Sequence, residues 1–330
     1  MMSRAEPCTC LWLAAMALLA PFGCVGYRTP LDQRPRAVST TSADASLDGR
    51  HDVAADRRDL GSDTRDLGAR VFKPCTIGEH YVLALGLDDN LYRFHPDTLA
   101  LDLIAPVECG TPSGYYDTSL NSLTTSPVGP AYISNHAGEL CIVDLVTFTA
   151  KLTSFDPARI SRNSYGMALL PDSSPAGQSL YVANNIDYYA DRLSRIDLTS
   201  YALTDIGAIG INGQPINEAE LTAGPHGELY VFSVSSDSMS GISFTPSQLL
   251  TLDPTNASVR DVTDVPVASP APAFALVNWQ GTFYLFFTDS DGAFGNASTA
   301  TVYTYPAGGS VTKWGTIGVG IIGAGVARCQ

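Results

Sequence analysis

The stretch Gly227-Glu228-Leu229-Tyr230-Val231-Phe232 contains a tyrosine followed by apolar residues, and this short motif occurs five times in the chain. The other copies are centred on Tyr81, Tyr132, Tyr181 and Tyr284, so the motif recurs at intervals of about 50 residues. Aromatic and β-branched residues are enriched in strands, and each copy therefore predicts a β-strand. A strand that returns at a constant period indicates a repeat architecture.

Further strand-like segments surround each copy of the motif. After Tyr181, for example, Leu193-Ser194-Arg195-Ile196-Asp197 predicts a strand that ends in an acidic turn. Before Tyr181, Gly166-Met167-Ala168-Leu169-Leu170 predicts a strand of mostly small residues. Asp and Pro suit such turns because Asp bonds its own backbone and Pro presets φ. A further strand follows each turn, as in Lys151-Leu152-Thr153. Each unit thus predicts four short strands, a to d, which is typical of a propeller blade.

The order of these motifs resembles YVTN-type and NHL-type propeller repeats over residues 71–330. The resemblance implies an all-β fold, namely a five-bladed β-propeller. The innermost strand of each blade, strand a, would place its small residues at a crowded central channel. A β-sandwich also has regular short strands and is the alternative, but five nearly equal periods favour the propeller.

The C-terminal segment, Gly320 to Cys329, is rich in small residues like the other a strands, whereas blade 1 has little room for a strand a of its own. We therefore expect the C-terminal strand to complete blade 1 and to bring Cys329 near Cys75. Spacing alone leaves three pairings of the four remaining cysteines open, as well as free thiols. With the ring closed in this way, we expect Cys75 to pair with Cys329 and Cys109 with Cys141.

The first 23 residues are similar to a bacterial lipoprotein signal. The apolar run from Leu11 to Phe22 is shorter than the ~20 residues that a membrane span needs. Gly23-Cys24 fits a lipobox, although Pro21 departs from it. The resemblance implies a lipid on Cys24, and Val25 after it favours the outer membrane. An ordinary secretory signal, with Cys24 incidental, is the alternative and would give a secreted protein.

Residues 24–70 have a linker composition. Aspartates recur at steps of three and four from Asp44 to Asp66, with arginines between them and few apolar residues. This favours a disordered, solvated spacer over the alternative of an acidic metal-binding helix. The predicted organisation is a signal peptide over 1–23, a linker over 24–70 and a propeller over 71–330.

A net charge of −14 argues against nucleic acid as a partner. The expected partners are the membrane, through the lipid anchor, and an unidentified protein, peptide or glycan, and we expect a monomer. The sequence contains neither His-Glu-x-x-His nor Gly-x-Ser-x-Gly, so it does not support a metalloprotease or a hydrolase nucleophile elbow. No cofactor is expected. A partial calcium loop at Asp289, Asp291 and Asn296 is the exception, and its alternative is a polar turn.

The d-to-a and b-to-c connections of a propeller lie together on one face, called here the top face, and in this chain they are long. They are residues 106–119, 157–164, 184–192, 209–219, 235–248 and 288–301. Two tyrosine doublets lie in them, Tyr115-Tyr116 and Tyr188-Tyr189, and these suit a sugar ring or a protein partner if they do not simply pack the loops.

Three carboxylates, Asp117, Glu218 and Glu220, precede inner strands and are candidates to ring the channel. Some five-bladed propellers are glycoside hydrolases with carboxylates at this location, and paired carboxylates do acid and base work on a glycosidic bond. Solvated or backbone-bonding side chains are the alternative.

Three functions follow from these features. The first is an envelope binding propeller, the second a carbohydrate-cleaving propeller and the third a passive envelope protein. Three carboxylates converging at the channel mouth would favour the enzyme. A mouth lined by Ser, Thr, Asn and Gly would favour binding, and an exposed apolar or tyrosine patch would favour a protein partner.

Overall fold

The structure is a computed structural model, and it describes residues 79–110, 119–126, 129–160, 165–174, 176–184, 191–216, 219–233, 247–267, 273–289 and 299–329. Every described residue belongs to one compact unit, Thr64–Gln330. The predicted signal peptide and linker lie outside the described residues and stay predictions. In the described ranges, no helix has the length and apolarity that a membrane span requires.

The described residues form 22 β-strands and one short 3-10 helix, Pro157–Arg159. The strands are, in chain order, β1 His80–Gly86, β2 Asn90–His95, β3 Ala100–Pro106, β4 Leu120–Thr125, β5 Ala131–Asn135, β6 Leu140–Val143, β7 Ala150–Leu152, β8 Tyr165–Pro171, β9 Gln178–Asn184, β10 Arg192–Ile196, β11 Leu203–Ala208, β12 Gly210–Ile211, β13 Gln214–Pro215, β14 Ala219–Ala223, β15 Leu229–Ser233, β16 Ser247–Leu252, β17 Val259–Val265, β18 Ala273–Trp279, β19 Thr282–Asp289, β20 Thr299–Pro306, β21 Thr312–Ile317 and β22 Ile321–Arg328.

Twenty of these strands form five four-stranded antiparallel sheets, which are the blades. Their orders from strand a to strand d are β22-β1-β2-β3, β4-β5-β6-β7, β8-β9-β10-β11, β14-β15-β16-β17 and β18-β19-β20-β21. The remaining two strands, β12 and β13, form a small hairpin between blades 3 and 4. The predicted five-bladed propeller is confirmed, and the β-sandwich alternative is wrong.

The C-terminal strand closes the ring. β22 pairs antiparallel with β1, with Leu83 opposite Gly325, and supplies strand a of blade 1 as predicted. The five a strands then contact one another in a closed circle, β22 to β4, β4 to β8, β8 to β14, β14 to β18 and β18 back to β22. The propeller therefore has no open end between its first and last blades.

The repeated tyrosine has a structural reason: it packs each blade against the next. Tyr81 lies in the apolar cluster between blades 1 and 2, Tyr132 in that between blades 2 and 3, and Tyr181 in that between blades 3 and 4. Tyr230 and Tyr284 pack against the clusters between blades 4 and 5 and between blades 5 and 1. The period of the motif is therefore the period of the blade interfaces.

The small residues of strand a are required by the close approach of neighbouring a strands. A Cβ on Gly166 would lie within 2.4 Å of the carbonyl oxygen of Ala219, and a Cβ on Gly323 within 2.3 Å of the amide nitrogen of Leu123. Ordinary side chains do not fit at such distances from another backbone. This confirms that strand a lines a crowded centre.

The turns between strands c and d also repeat. Asp144 and Asp197 each accept hydrogen bonds from backbone N–H groups two and three residues later. Four residues after each aspartate, Phe148 and Tyr201 adopt left-handed conformations, with φ of 54° and 55°. The aspartate thus orders a turn that would otherwise be costly for a residue other than glycine.

The predicted disulfide between Cys109 and Cys141 is present, with the two Cα atoms 5.7 Å apart. It joins the segment after β3 of blade 1 to β6 of blade 2. Cys329 is also disulfide-bonded, but Cys75 lies outside the described residues, so the pairing of Cys75 with Cys329 stays a prediction.

We expect removal of the Cys109–Cys141 bond, by replacing both residues with serine, to lower the free energy of unfolding by about 3–4 kcal/mol, because the bond closes a loop of 32 residues. Urea unfolding followed by circular dichroism measures the change. Replacing Cys24 with serine is the control, since that residue is not expected to form a disulfide. An unchanged urea midpoint for the double variant would contradict the prediction.

Candidate functional site

A cavity of about 490 Å³ lies at the centre of the ring, and all five blades contribute to its wall. It is called here the channel-mouth cavity. Residues that line it include Gly325 of blade 1, Thr124, Thr125 and Ser126 of blade 2, Gln178 of blade 3, Thr222 and His226 of blade 4, and Asn278 and Trp279 of blade 5. These residues lie at the ends of a strands or in the a-to-b connections. The cavity therefore opens on the face opposite the top face.

The described wall of the cavity is largely apolar in area, with polar side chains at several positions, among them His80 and His226. It presents threonine and serine hydroxyls, the amides of Gln178 and Asn278 and several glycines, and its described residues include no Asp, Glu, Lys or Arg. A charged ligand group would lose its hydration here without gaining a countercharge from Asp, Glu, Lys or Arg, which is costly. The wall thus favours neutral ligands that carry both apolar and polar surface.

Trp279 provides a fixed aromatic surface in this wall. It is the last residue of β18, and the two-residue turn that follows has φ of 52° at Gln280 and 81° at Gly281, as a tight hairpin needs. The Oδ1 atom of Asn278 accepts a hydrogen bond of 3.2 Å from the Gly281 amide. The half-buried indole also packs against the apolar cluster between blades 5 and 1. The packing restricts the indole ring, and the hydrogen bond fixes the turn that follows it.

Thr125 stands where β4 approaches β22. Its side chain is buried, and its Oγ1 atom has no hydrogen-bond partner among the described residues. A Cβ on Gly325 would lie 2.8 Å from this oxygen, so glycine leaves just enough room for the threonine. The hydroxyl of Thr125 adds polarity to the wall without stabilising the fold through a bond of its own.

Glu220 ties three blades together deeper in the channel. It lies in β14 two residues before Thr222, and Ser122 of β4 lies two residues before Thr124, so both are one pleat further from the cavity mouth. The hydroxyl of Ser122 donates a 2.9 Å hydrogen bond to Oε1 of Glu220, and the Met167 amide of β8 donates another to the carboxyl group. Blades 2, 3 and 4 therefore meet at this one side chain.

Burial raises the pKa of Glu220 well above its ordinary value of 4.5, although the hydrogen bonds from Ser122 and the Met167 backbone oppose the shift. A carboxyl group taken out of water favours its neutral form. Glu220 thus lies in the channel as a buried, hydrogen-bonded group, and its catalytic role stays a prediction.

Asp191, which sequence reasoning did not single out, is the second buried acid in this region. Its Oδ2 atom accepts a hydrogen bond of 2.8 Å from the backbone amide of Ala219, the residue that starts β14. Its backbone also bonds Ile209 and Ile216 at the hairpin before β14. Asp191 therefore positions the strand that carries Glu220, and no sequence motif marked it.

Most of the other predicted site residues lie outside the described residues, and those predictions remain as they were. They are Cys24, the tyrosines 115, 116, 188 and 189, the carboxylates Asp117 and Glu218, and Asp291 and Asn296 of the partial calcium loop. Asp289 ends β19. In the part of the chain that is described, no group of three or more His, Cys, Asp or Glu residues is placed to hold a metal ion.

The channel-mouth cavity is the feature that sequence reasoning missed, because the long connections lie on the top face and this cavity is formed by strand ends and short turns. A signal was present in the sequence. Hydroxyl or amide residues recur at the ends of three a strands, at Thr124-Thr125-Ser126, Thr222 and Asn278. Equivalent positions in successive blades lie around one axis, so polar residues recurring there predict a polar channel mouth.

No protein-family model matches the chain, and no curated protein matches it. Solved structures similar to it include hydrazine synthase from Kuenenia stuttgartiensis, with 12% identity over 74% of this chain and 68% of that chain and a TM-score of 0.38. A putative TolB from Agrobacterium tumefaciens has 16% identity over 74% and 83%, with a TM-score of 0.40. A putative exo-beta-1,3-galactanase from Bifidobacterium bifidum has 11% identity over 72% and 76%, with a TM-score of 0.41. Likenesses of this size say nothing about ligand or activity.

Proposed function

We propose that this chain is an exported, lipid-anchored binding propeller that holds an uncharged polar ligand in the channel-mouth cavity. One observation carries the proposal: all five blades contribute hydroxyl, amide or glycine groups to a cavity whose otherwise largely apolar described wall contains no Asp, Glu, Lys or Arg. Concave sites with a few converging polar groups are where small ligands bind.

Binding is favoured over catalysis by the position of the described carboxylates. The cavity wall that is described contains none. Glu220 lies deeper and already accepts hydrogen bonds from Ser122 and Met167, while Asp191 bonds the start of β14. Glycoside hydrolysis needs two carboxyl groups that flank the scissile bond. Glu220 and Asp191 are instead held by the fold.

The proposed ligand site lies on the face opposite the top face, whereas the sequence predicted binding on the top face. The tyrosine doublets at 115–116 and 188–189 were expected to bind on the top face, and they stay candidates for a separate contact with a protein or glycan. The cavity alone is enough for the function proposed here, because it is formed by strands and short connections of a closed ring.

The binding proposal is tested with a panel of neutral oligosaccharides and uncharged, end-blocked peptides, with binding measured by calorimetry on the full chain. His226 is exposed at the cavity wall, so a cysteine placed there and modified with a bulky maleimide would obstruct the mouth. A cysteine at Lys313, which is exposed on β21, carries the same label as the matched control. We expect at least one panel member to bind and the label at 226 alone to abolish binding.

A panel without any binder would contradict the proposal, and so would binding that the label at 226 leaves unchanged. Binding lost equally with both labels would show that the modification itself damages the protein. The label at Lys313 is therefore required for a positive reading.

The lipid anchor is tested separately from the ligand. In a bacterial host given an alkyne-labelled fatty acid, we expect the chain to incorporate the label and to fractionate with membranes. Replacing Cys24 with serine should abolish incorporation and release the protein to the soluble fraction, because the thiol is the acceptor of the lipid. Label that persists in the Cys24→Ser variant would show that the lipid lies elsewhere, and no label in either form would make the anchor wrong.

A further inference from the structure

Resting on the binding function proposed above, we propose that the channel-mouth cavity recognises the end of a neutral saccharide chain, with Trp279 as the surface for a sugar ring. The inference names the ligand class, and it follows from the shape, the polarity and the depth of the cavity.

The first step concerns the pairing of polar and aromatic groups. A pyranose ring has an apolar C–H face and a rim of hydroxyl groups. In the cavity, Trp279 offers a fixed ring surface, and Thr222, Asn278 and Gln178 lie around the same space. Aromatic surfaces bury large apolar area at low cost in entropy, which suits the C–H face of a sugar.

The second step concerns donors and acceptors. A hydroxyl or an amide side chain both donates and accepts, as each sugar hydroxyl also does. A peptide backbone instead alternates fixed N–H donors with fixed C=O acceptors. The wall contains hydroxyls at Thr124, Ser126 and Thr222, and amides at Gln178 and Asn278. Such a set matches several orientations of a polyol better than it matches one strand of peptide.

The charges of the cavity wall limit the kind of sugar that can bind. Because the described wall contains neither carboxylates nor Lys or Arg, it offers no countercharge to a free amino sugar, and only the imidazoles of His80 and His226 to a uronic acid or a sulfated sugar. Neutral hexoses, pentoses and N-acetylated sugars remain. A cavity of about 490 Å³ holds one to two such units.

The channel is bridged by side chains just beyond the cavity, which limits how far a ligand can enter. One pleat beyond the cavity, the hydrogen bond between Ser122 and Glu220 joins the a strands of blades 2 and 4 across the centre of the ring. A long chain therefore meets a tied channel instead of an open one. The cavity accepts the end of a chain, and further units project into solvent.

Tryptophan fluorescence can measure ligand contact with Trp279. The chain contains three tryptophans, Trp12, Trp279 and Trp314, and Trp314 is 48% exposed on the outer strand β21. With Trp12 and Trp314 replaced by phenylalanine, fluorescence reports Trp279 alone. The reciprocal protein, with Trp12 and Trp279 replaced, reports Trp314 alone. We expect neutral oligosaccharides to shift the emission of the first protein and to leave that of the second unchanged.

Affinity provides the second readout. We expect Trp279→Ala to weaken saccharide binding about tenfold or more and Trp279→Phe to weaken it less, because an aromatic ring is kept. Trp314→Ala, the matched control, should bind like the parent. Across a chain-length series, affinity should rise up to two units and then stay constant, because later units lie outside the cavity.

The outcomes separate this inference from the function on which it rests. Binding of end-blocked peptides but of no saccharide, still abolished by the label at position 226, would overturn the saccharide inference and leave the binding function standing. Absence of any binder would overturn both. Saccharide affinity that keeps rising beyond two units would overturn recognition of the chain end, and binding that is unchanged in Trp279→Ala would overturn the role of Trp279.

Discussion

Replacing Gly323 with alanine is expected to destabilise the propeller by about 3 kcal/mol or more, because the added Cβ has no space. It would lie 2.3 Å from the amide nitrogen of Leu123 and 2.8 Å from the Cβ of that residue. Both contacts involve the main chain or its first side-chain atom, so no flexible group can move aside. The only relief is to separate β22 from β4, and these are two of the five strands that close the central ring.

The same chain offers a matched control for this substitution. Gly318 lies just before β22, and a Cβ there would meet nothing within 4 Å. Alanine at that position should leave stability unchanged or raise it by up to about 1 kcal/mol, because it restricts the unfolded chain. Urea unfolding followed by circular dichroism measures both variants. If Gly323→Ala and the parent unfold at the same urea concentration, the close contact of the first and second blades at the ring centre is wrong.

The number of blades could be predicted because the residue that repeats in the sequence also repeats in the packing. Each tyrosine of a b strand packs into or against the interface with the next blade, as Tyr81 does between blades 1 and 2 and Tyr181 between blades 3 and 4. A contact of this kind demands the same residue type at the same position in every unit. The period was therefore visible without knowledge of the partner residues.

Ring closure could be predicted for a related reason. Small residues such as Gly323 and Gly325 are needed wherever two a strands approach each other, so β22 resembles the a strands of other blades although it lies at the end of the chain. The pairing of Cys109 with Cys141 then followed from the neighbouring positions of blades 1 and 2.

The candidate site was less predictable because its parts are distant in the sequence and individually ordinary. Glu220 bonds Ser122, which is 98 residues away, and only the closed ring brings the two together. A threonine at the end of a strand, such as Thr222, has the same local sequence whether it faces solvent or a central cavity. The long loops were predicted to bind the ligand because loops are the usual place of binding sites. This cavity is instead formed by strand ends and short turns.

The buried carboxyl group of Glu220 leads to the second large expected effect, a fall in stability as the pH rises. Burial raises the pKa of Glu220 in the folded protein well above 4.5, which is about its value in the unfolded chain. Above pH 4.5 the unfolded chain loses this proton while the folded protein keeps it. The folded state binds more protons in this window, so its stability declines as the pH increases. The decline approaches ~1.4 kcal/mol per pH unit and ends above the folded pKa.

Glu220→Gln should remove this decline, because glutamine resembles the protonated acid and does not titrate. Its amide oxygen can still accept hydrogen bonds from Ser122 and the Met167 amide. We therefore expect the variant to gain stability relative to the parent as the pH rises from 5 to 8. Glu108→Gln, at an exposed position, is the control and should run parallel to the parent. Urea midpoints measured across this range test the prediction. If the curves for the parent and Glu220→Gln are parallel, Glu220 is ionised in the folded protein. Its burial between blades 2, 3 and 4 then does not control its charge.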